Sequence, residues 1–173
     1  NTVLGPFYVP NSPERERGAS MLIDEDDGDR VLFVDKVTDV DGNPLEGVVL
    51  DCWQNATAGF YAVQQPGIQD PDNLRGIYRT DAKGEYGFDT IKPGAIGDGQ
   101  APHVTFIIFT RGGQNHLYTR VYFPDEAAAN GKDPVLQGVP ADRRDTLIAA
   151  KTETGYRLDI RVQGDGETVF FDV

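Results

Sequence analysis

Residues 31–54 read VLFVDKVTDVDGNPLEGVVLDCWQ, and this stretch predicts two β-strands joined by a turn. Apolar and β-branched residues dominate Val31–Asp39 and Gly47–Gln54, which is the composition that strands favour. Between them, Asp41–Pro44 combines a glycine, which tolerates positive φ, with a proline, which is excluded from the interior of a sheet. We therefore interpret the stretch as a strand, a turn and a returning strand.

Short apolar runs separated by Gly- and Pro-containing turns continue along the rest of the chain. This spacing is typical of an all-β sandwich, and we predict an antiparallel one. Further turns are predicted at Asp81–Gly84 and Arg111–Gly113. The other predicted strands are Ile77–Thr80, Glu85–Asp89, His103–Thr110, His116–Phe123, Asp145–Thr152, Gly155–Val162 and Glu167–Asp172.

Helices are predicted to be few and short. Asp125–Ala129 has acidic residues in its first turn and favours one short helix, and Ala141–Arg144 favours a second helical turn. The polar stretch Pro10–Asp29 predicts a surface loop. Its four adjacent acids, Asp24–Asp27, leave a Ca²⁺ site as the alternative, although the Asp-x-Asp-x-Asp-Gly spacing is not met.

Length and composition predict one domain over residues 1–173, because a chain of 173 residues suits a single core. The 28 acidic and 16 basic residues give a net charge of −12, which disfavours nucleic acid and anionic membranes as partners. Cys52 is the single cysteine, so no internal disulfide is possible. No stretch is long and apolar enough for a transmembrane helix, and we expect a cytoplasmic protein.

Two stretches, Asp51–Tyr61 and Gln100–Phe106, carry the clearest chemical pattern. Together with the Pro93-Gly94 turn between them, they resemble the intradiol ring-cleavage dioxygenases, which open catechol-type aromatic diols with O2 at a non-haem ferric iron. In that family a Trp-containing strand end leads to a tyrosine ligand. A second tyrosine follows a Pro-Gly turn, and an Arg-x-x-His-x-His strand supplies two histidines. The resemblance implies a β-sandwich of the prealbumin-like type.

Only part of the implied iron site is present in this sequence. Tyr61 and His103 occupy the positions of the first tyrosine and the first histidine, whereas Thr105 stands at the second histidine and Gln100 at the arginine. Ile96 follows the Pro-Gly turn, with no tyrosine there. Ferric iron prefers hard anionic ligands such as phenolates, and ligand identity and number decide a metal site. We therefore expect that the chain alone does not bind stoichiometric iron(III).

The resemblance differs between the two halves of the chain. Residues 2–93 are most similar to catechol and hydroxyquinol 1,2-dioxygenases, and residues 90–173 to the α chain of protocatechuate 3,4-dioxygenases. The α chain lacks iron and lends part of the substrate pocket to a β chain that supplies all the ligands. The implied partners are therefore a ligand-complete β-type chain or further copies of this chain, together with a catechol-type diol. The residues implied to shape the pocket are Gly5, Pro6, Phe7, Tyr8 and Gln100.

Other interpretations of the same residues stay open. Tyr61 fits a rim aromatic, and His103 and His116 fit hydrogen-bonded structural histidines. The motifs at Asp41–Gly47 and Thr80–Phe88 also resemble prealbumin-like modules without chemistry, so an iron-free structural or binding sandwich is the alternative function. The division between the halves also fits a recombined or designed chain on the catechol 1,2-dioxygenase scaffold. The strand face predicted for self-association comprises Phe106, Ile108, Tyr118 and Tyr122.

Overall fold

A computed structural model describes residues 5–110 and 116–172, which form two β-sheets. In chain order the strands are β1 (Arg30–Thr38), β2 (Val49–Trp53), β3 (Arg75–Arg79), β4 (Glu85–Ile91), β5 (His103–Phe109), β6 (Leu117–Tyr122), β7 (Ala150–Lys151), β8 (Gly155–Arg157) and β9 (Ile160–Arg161). The helical segments are the 3₁₀ turns Ala62–Gln64, Pro124–Glu126 and Ala141–Leu147 and the short helices α1 (Ala127–Asn130) and α2 (Pro134–Gln137).

The two sheets have different strand orders. One runs β4–β1–β8–β7, with β9 also paired to β1, and the other runs β3–β2–β5–β6. Neighbouring strands are antiparallel except that β8 and β9 are parallel to β1. The predicted all-β sandwich with short helices is thus confirmed, and the parallel pairs at β1 are its departure from a purely antiparallel arrangement.

The core lies between the sheets and is rich in aromatic side chains. Alternate residues of β1 point inward, so Val31, Phe33 and Val37 are buried on one face. Phe33 stacks on Phe88 of β4 with ring centroids 4.9 Å apart, and Phe106 of β5 lies 6.2 Å from Phe88 across the sandwich. Burying one such side chain stabilises the fold by about 1.5–3 kcal/mol, so both sheets depend on this cluster.

The two faces of β5 have different surroundings. Phe106 and Ile108 point into the core, whereas His103 and Thr105 lie on the outer face of the sheet. The prediction that Phe106, Ile108, Tyr118 and Tyr122 form one surface for self-association is therefore wrong. Phe106 and Ile108 are fully buried between the sheets, and Tyr122 is fully buried on the other side of the sheet.

The prediction of a strand at Asp145–Thr152 is also wrong over most of its length. The chain forms the 3₁₀ segment that ends at Leu147, and only the two residues of β7 pair with β8. Leu147 and Ala149 are buried, so their alternation with polar residues reflects packing onto the body of the protein. Alternation of apolar and polar residues therefore does not by itself mean that a segment pairs with a neighbouring strand.

The C-terminal strands are shorter than predicted. Gly155–Val162 alternates between buried and exposed residues as expected, but it forms two short strands, β8 and β9. The predicted strand Glu167–Asp172 reduces to a single bridge between Phe171 and Tyr118. This segment crosses from one sheet to the other, because the Thr168 N–H donates to a carbonyl of β9 and the Phe171 N–H to one of β6.

The predicted helical segments are present with shifted bounds. Asp125–Ala129 is divided between a 3₁₀ turn and α1, and Ala141–Arg144 begins a longer 3₁₀ segment. None of the helices within residues 5–110 and 116–172 is long and apolar enough to cross a membrane. The turn predicted at Arg111–Gly113 lies outside the described residues.

Helix α2 was not predicted, although its start carries a sequence signal. Asp133 precedes Pro134, and its carboxylate accepts hydrogen bonds from the N–H groups of Val135 and Leu136, both at 2.9 Å. An aspartate cap followed by proline at the first helical position is a favourable helix start.

The acidic segment within Pro10–Asp29 holds neighbouring loops in place. Asp24 accepts a hydrogen bond from the Asp70 N–H at 2.8 Å, and Asp26 accepts one from the Thr57 N–H at 3.2 Å. Within the described part of the chain, no group of three or more His, Cys, Asp or Glu side chains is arranged to hold a metal ion. The carboxylates of Asp24 and Asp26 are thus used in hydrogen bonds between loops, as the prediction of a surface loop would have it.

Candidate functional site

A cavity of about 670 Å³ opens on the outer face of the four-stranded sheet. It lies where the start of β5 meets the loop 96–100, the segment 59–64, the first turn of α2 and the N-terminal residues 5–7. This volume is within the range that small organic ligands occupy. The predicted site residues that line it are Gly5, Pro6, Phe7, Tyr61, Gln100 and His103.

Tyr8 was predicted to shape the same rim, but its side chain packs elsewhere. Its ring lies 5.0 Å from that of Trp53, within the apolar cluster that also contains Tyr61. Phe7 stacks on Tyr61 with centroids 5.0 Å apart and an interplanar angle of 25°. Successive residues of this extended segment therefore face different sides, and Phe7 is the aromatic ring that reaches the cavity.

Arg75 fixes the N-terminal segment beside the cavity. Its Nη2 donates to the carbonyls of Val9 at 3.0 Å and Pro10 at 3.1 Å. The Ser12 hydroxyl donates to Asp51 Oδ1 at 2.7 Å, which ties the same segment to β2. Charge-assisted hydrogen bonds of this kind are stronger than neutral ones, so they hold the approach to Phe7 in one arrangement.

Tyr61 lies at the end of the loop that follows β2, directly before the 3₁₀ turn Ala62–Gln64. Its N–H donates to Gln64 Oε1 at 2.9 Å, which orients the backbone, and the side chain is only 7% exposed. Burial raises the pKa of Tyr61 to about 12, although the positive charge of Arg120 acts in the opposite direction. The hydroxyl is therefore a neutral phenol at neutral pH, able to donate a hydrogen bond into the cavity.

His103 begins β5 and is 3% exposed. Its Nδ1 lies 2.8 Å from the Ala101 carbonyl, which can only accept, so Nδ1 carries the proton and Nε2 presents a lone pair. Burial, followed by the charge of Arg120, lowers the pKa of His103 to about 3. The imidazole is thus neutral, and its ring packs 5.7 Å from that of Tyr122.

The side chains at this cavity do not fit a ferric ion. Tyr61 and His103 line it together, but so do Ile96, which offers no ligand atom, and Thr105, whose hydroxyl is a poor substitute for an imidazole. Arg120 lies directly opposite Thr105 in the pairing of β5 with β6, so a positive charge stands beside the missing ligand position. Like charges repel strongly in a buried site. The ligand roles of Tyr61 and His103 stay predictions.

Arg120 is the site residue that the sequence interpretation missed. It is 4% exposed, and its Nη1 donates to Gln100 Oε1 at 2.8 Å and contacts the Tyr122 hydroxyl at 3.5 Å. A signal exists in the sequence, since Tyr118, Arg120 and Tyr122 share one face of β6 by the period of two. Linking that face to Thr105 requires the register of β5 and β6, which local pattern does not supply.

Gln100 is held between two charged side chains. Its amide oxygen accepts from Arg120, and its Nε2 donates to Asp98 Oδ2 at 2.6 Å. In the sequence, Gln100 stands at the position of the family's arginine. Its side-chain amide instead positions Arg120, so a positive charge is present at the cavity although residue 100 itself is neutral.

Asp133 connects α2 with the start of β5. It is completely buried, and its Oδ2 accepts from the Ala101 N–H at 2.7 Å while Oδ1 caps α2. Ala101 in turn provides the carbonyl that receives the Nδ1 proton of His103. Asp133 therefore fixes the backbone that sets the orientation and tautomer of His103.

The comparisons with known proteins agree with the geometry. A family model described as dioxygenase matches residues 3–164. The protocatechuate 3,4-dioxygenase α chain of Burkholderia cepacia is 43% identical over 156 residues, covering 85% of this chain and 79% of the relative. The β chain from the same organism is 35% identical over 159 residues, covering 82% of this chain and 67% of the relative. The chain belongs to the intradiol ring-cleavage dioxygenase family.

The solved structures give the same fold. The hydroxyquinol 1,2-dioxygenase of Pseudomonas putida DLL-E4 superposes with a TM-score of 0.71 at 27% identity, over 92% of this chain and 63% of that one. The present chain therefore spans less than two thirds of that longer protein. The similarity to the 1,2-dioxygenases as well as to the α chain agrees with the resemblance found in the sequence.

Proposed function

We propose that this chain is an α-type, iron-ligand-deficient subunit of an aromatic-diol ring-cleaving dioxygenase such as protocatechuate 3,4-dioxygenase. One observation carries the proposal: Ile96, Thr105 and Arg120 line the same cavity as Tyr61 and His103. The 43% identity with an α chain named protocatechuate 3,4-dioxygenase supports it. A cytoplasmic location is part of the same proposal.

In this proposal a ligand-complete β-type partner holds the iron(III) and carries out the oxygen chemistry. The α-type chain contributes wall residues near the partner's site and stabilises the assembly. Gly5, Pro6 and Phe7 are proposed for that contribution, because they are already ordered against the cavity by Arg75 and by stacking on Tyr61. The substrate class is a catechol-type aromatic diol.

The test is co-expression with a β-type chain, for which the Burkholderia cepacia β chain is a suitable partner. We expect the present chain alone to be colourless and without stoichiometric iron. The co-purified pair should contain iron, show visible absorption and consume O2 with protocatechuate. A matched control is the β-type chain expressed alone, which separates its own activity from that of the pair.

Two outcomes would contradict the proposal. A coloured, iron-containing preparation of this chain alone would indicate a self-sufficient dioxygenase, and the assignment of Ile96 and Thr105 to ligand positions would be wrong. A chain that neither binds iron nor associates with β-type partners would favour the second candidate, an iron-free binding sandwich. The buried Arg120 at the cavity is the observation that favours this second candidate.

A further inference from the structure

We propose that residues 5–8 form a hinged arm that opens and closes one wall of the cavity, with the Phe7 ring as its moving part. In the closed form, which the structure shows, Phe7 stacks on Tyr61. In the open form the arm turns outward about Val9 and uncovers Tyr61 and Trp53. The inference concerns the conformations of this chain alone, and it stands whether or not the chain assembles with an iron-containing partner.

The arm is held in place by contacts between aromatic rings. Within the described part of the chain, no hydrogen bond joins residues 5–8 to another segment. The ring centroids of Phe7 and Tyr61 are 5.0 Å apart, and those of Tyr8 and Trp53 are also 5.0 Å apart. Each such pair contributes only a small part of the stability of a domain, so release of the arm requires far less free energy than unfolding of the protein.

The residues that follow the arm are anchored, which places the hinge at Val9. The carbonyls of Val9 and Pro10 accept hydrogen bonds from Arg75 Nη2 at 3.0 and 3.1 Å. Further along, the Arg15 N–H donates to the Ile77 carbonyl of β3 at 2.9 Å. A segment held by ring contacts is therefore joined directly to one held by hydrogen bonds, and the arm can move while the anchored residues stay in place.

The stack of Phe7 on Tyr61 separates the cavity from a second, smaller void. The void has a volume of about 10 Å³, enough for about one water molecule, and both rings line it as well as the cavity. Arg75 also lines the void, and its buried Nε has no hydrogen-bond partner among the described residues. Displacement of Phe7 joins the two spaces and exposes the Tyr61 ring. The arm therefore controls how much of this wall a molecule in the cavity can reach.

Cysteine labelling of the Ala62→Cys variant measures the opening. Ala62 is 5% exposed and lines the same void as Phe7, so a thiol at this position is protected in the closed form. Cys52 is completely buried in the core between the sheets, so it should react only when the whole protein unfolds and serves as an internal control. Iodoacetamide labels both thiols, and mass spectrometry of chymotryptic peptides distinguishes them.

We expect the introduced thiol to react at least about a hundredfold faster than Cys52, because a local opening requires less free energy than global unfolding. It should react more slowly than the same thiol in urea-unfolded protein, because the closed form predominates. Low concentrations of urea should accelerate the labelling of Cys52 and leave that of the introduced thiol nearly unchanged, since opening of the arm exposes little surface.

A second substitution in the same variant tests whether the arm is the moving part. Tyr8→Ala removes the contact with Trp53 and should raise the labelling rate of the introduced thiol by about tenfold, the scale of one aromatic pair. The matched control is His116→Ala, which removes a ring that lies 4.3 Å from that of Phe109, outside the arm. It should leave the rate of the introduced thiol unchanged, even if Cys52 reacts faster.

The proposal is overturned if the introduced thiol reacts no faster than Cys52, because the arm then opens only with global unfolding. It is also overturned if the thiol reacts as fast as in the unfolded chain, or if Tyr8→Ala and His116→Ala change its rate equally. If Ala62→Cys does not fold, acrylamide quenching of Trp53, the single tryptophan, decides the question in a chain with Ala62 retained. Tyr8→Ala should then increase the quenching and His116→Ala should not, and equal quenching in both variants and wild type overturns the proposal.

Discussion

Asp35→Asn should make the stability of this protein less dependent on pH. Asp35 lies on the inner face of β1 and is only 2% exposed, beside the fully buried Tyr86. Its Oδ1 accepts a hydrogen bond from the Leu158 N–H, whereas no hydrogen-bond partner is found for Oδ2 within the described residues. Burial raises the pKa of Asp35 from 3.8 to about 8, although the Leu158 N–H acts in the opposite direction.

The sign of the effect follows from proton linkage. Between about pH 4 and pH 8 the folded protein keeps a proton on Asp35 that the unfolded chain has released. The contribution of this proton to stability is therefore complete below pH 3.8 and is lost as the pH rises through about 8. Inside that window the free energy of unfolding should fall by about 1.4 kcal/mol per pH unit, and over the whole window by roughly 5 kcal/mol.

Asparagine keeps an oxygen for the Leu158 N–H and cannot ionise. The variant therefore lacks the pH-dependent contribution of Asp35 to the free energy of unfolding. Urea unfolding of wild type and Asp35→Asn at several values between pH 5 and pH 9 measures the difference directly. We expect the variant to become more stable relative to wild type by about 2–3 kcal/mol between pH 5 and pH 7. Other buried acids affect both proteins equally and cancel in the comparison.

The matched control is Asp142→Asn, which removes an exposed carboxylate from the 3₁₀ segment that begins at Ala141. It makes the same chemical change at an exposed carboxylate, so it separates the effect of replacing an aspartate from the effect of burying Asp35. If the difference in unfolding free energy between wild type and Asp35→Asn is the same at pH 5 and pH 8, Asp35 is ionised throughout in the folded protein, and the reasoning from burial is refuted.

Two further predictions concern the cavity and its framework. Asp133→Ala should lower the free energy of unfolding by about 3 kcal/mol in urea titrations, because the buried Ala101 N–H and the start of α2 lose their acceptor; a loss below about 1 kcal/mol would contradict this role. Ile96→Tyr with Thr105→His should remain colourless when ferric iron is supplied, and adding Arg120→Gln should permit iron binding and visible absorption; colour in the double variant would show that Arg120 does not oppose the metal.

The parts of the fold that the sequence predicted well are those fixed by neighbouring residues. The turn at Asp41–Pro44 joins β1 and β2, and Gly42 adopts a φ of 80°, which glycine permits without strain. Asp81–Gly84 links β3 and β4 in the same way, with Gly84 at a φ of 71°. Turn chemistry acts over four residues, so it can be interpreted without knowledge of the rest of the chain.

The elements that were mispredicted depend on distant contacts. Asp145–Thr152 shows strand-like alternation, yet Leu147 lies in a 3₁₀ segment and packs in the cluster that contains Tyr122, while Ala149 packs in the main core. The period of two predicts that His103 and Thr105 share one face of their strand, but not that this face is the outer one. Which residue faces them from β6 depends on register, and register depends on the sheet as a whole.

The framework of the cavity is independent of the side chains at the expected ligand positions. Two contacts that hold the walls of the cavity are made to backbone atoms: Asp133 accepts from the Ala101 N–H, and Gln64 accepts from the Tyr61 N–H. These contacts do not depend on the side chains at positions 96 and 105, so the strand and the loop can form with or without metal-binding side chains there. The expectation that this chain alone does not hold iron therefore depends on a few side chains, such as Thr105 and its cross-strand neighbour Arg120, and not on the fold that the chain shares with its family.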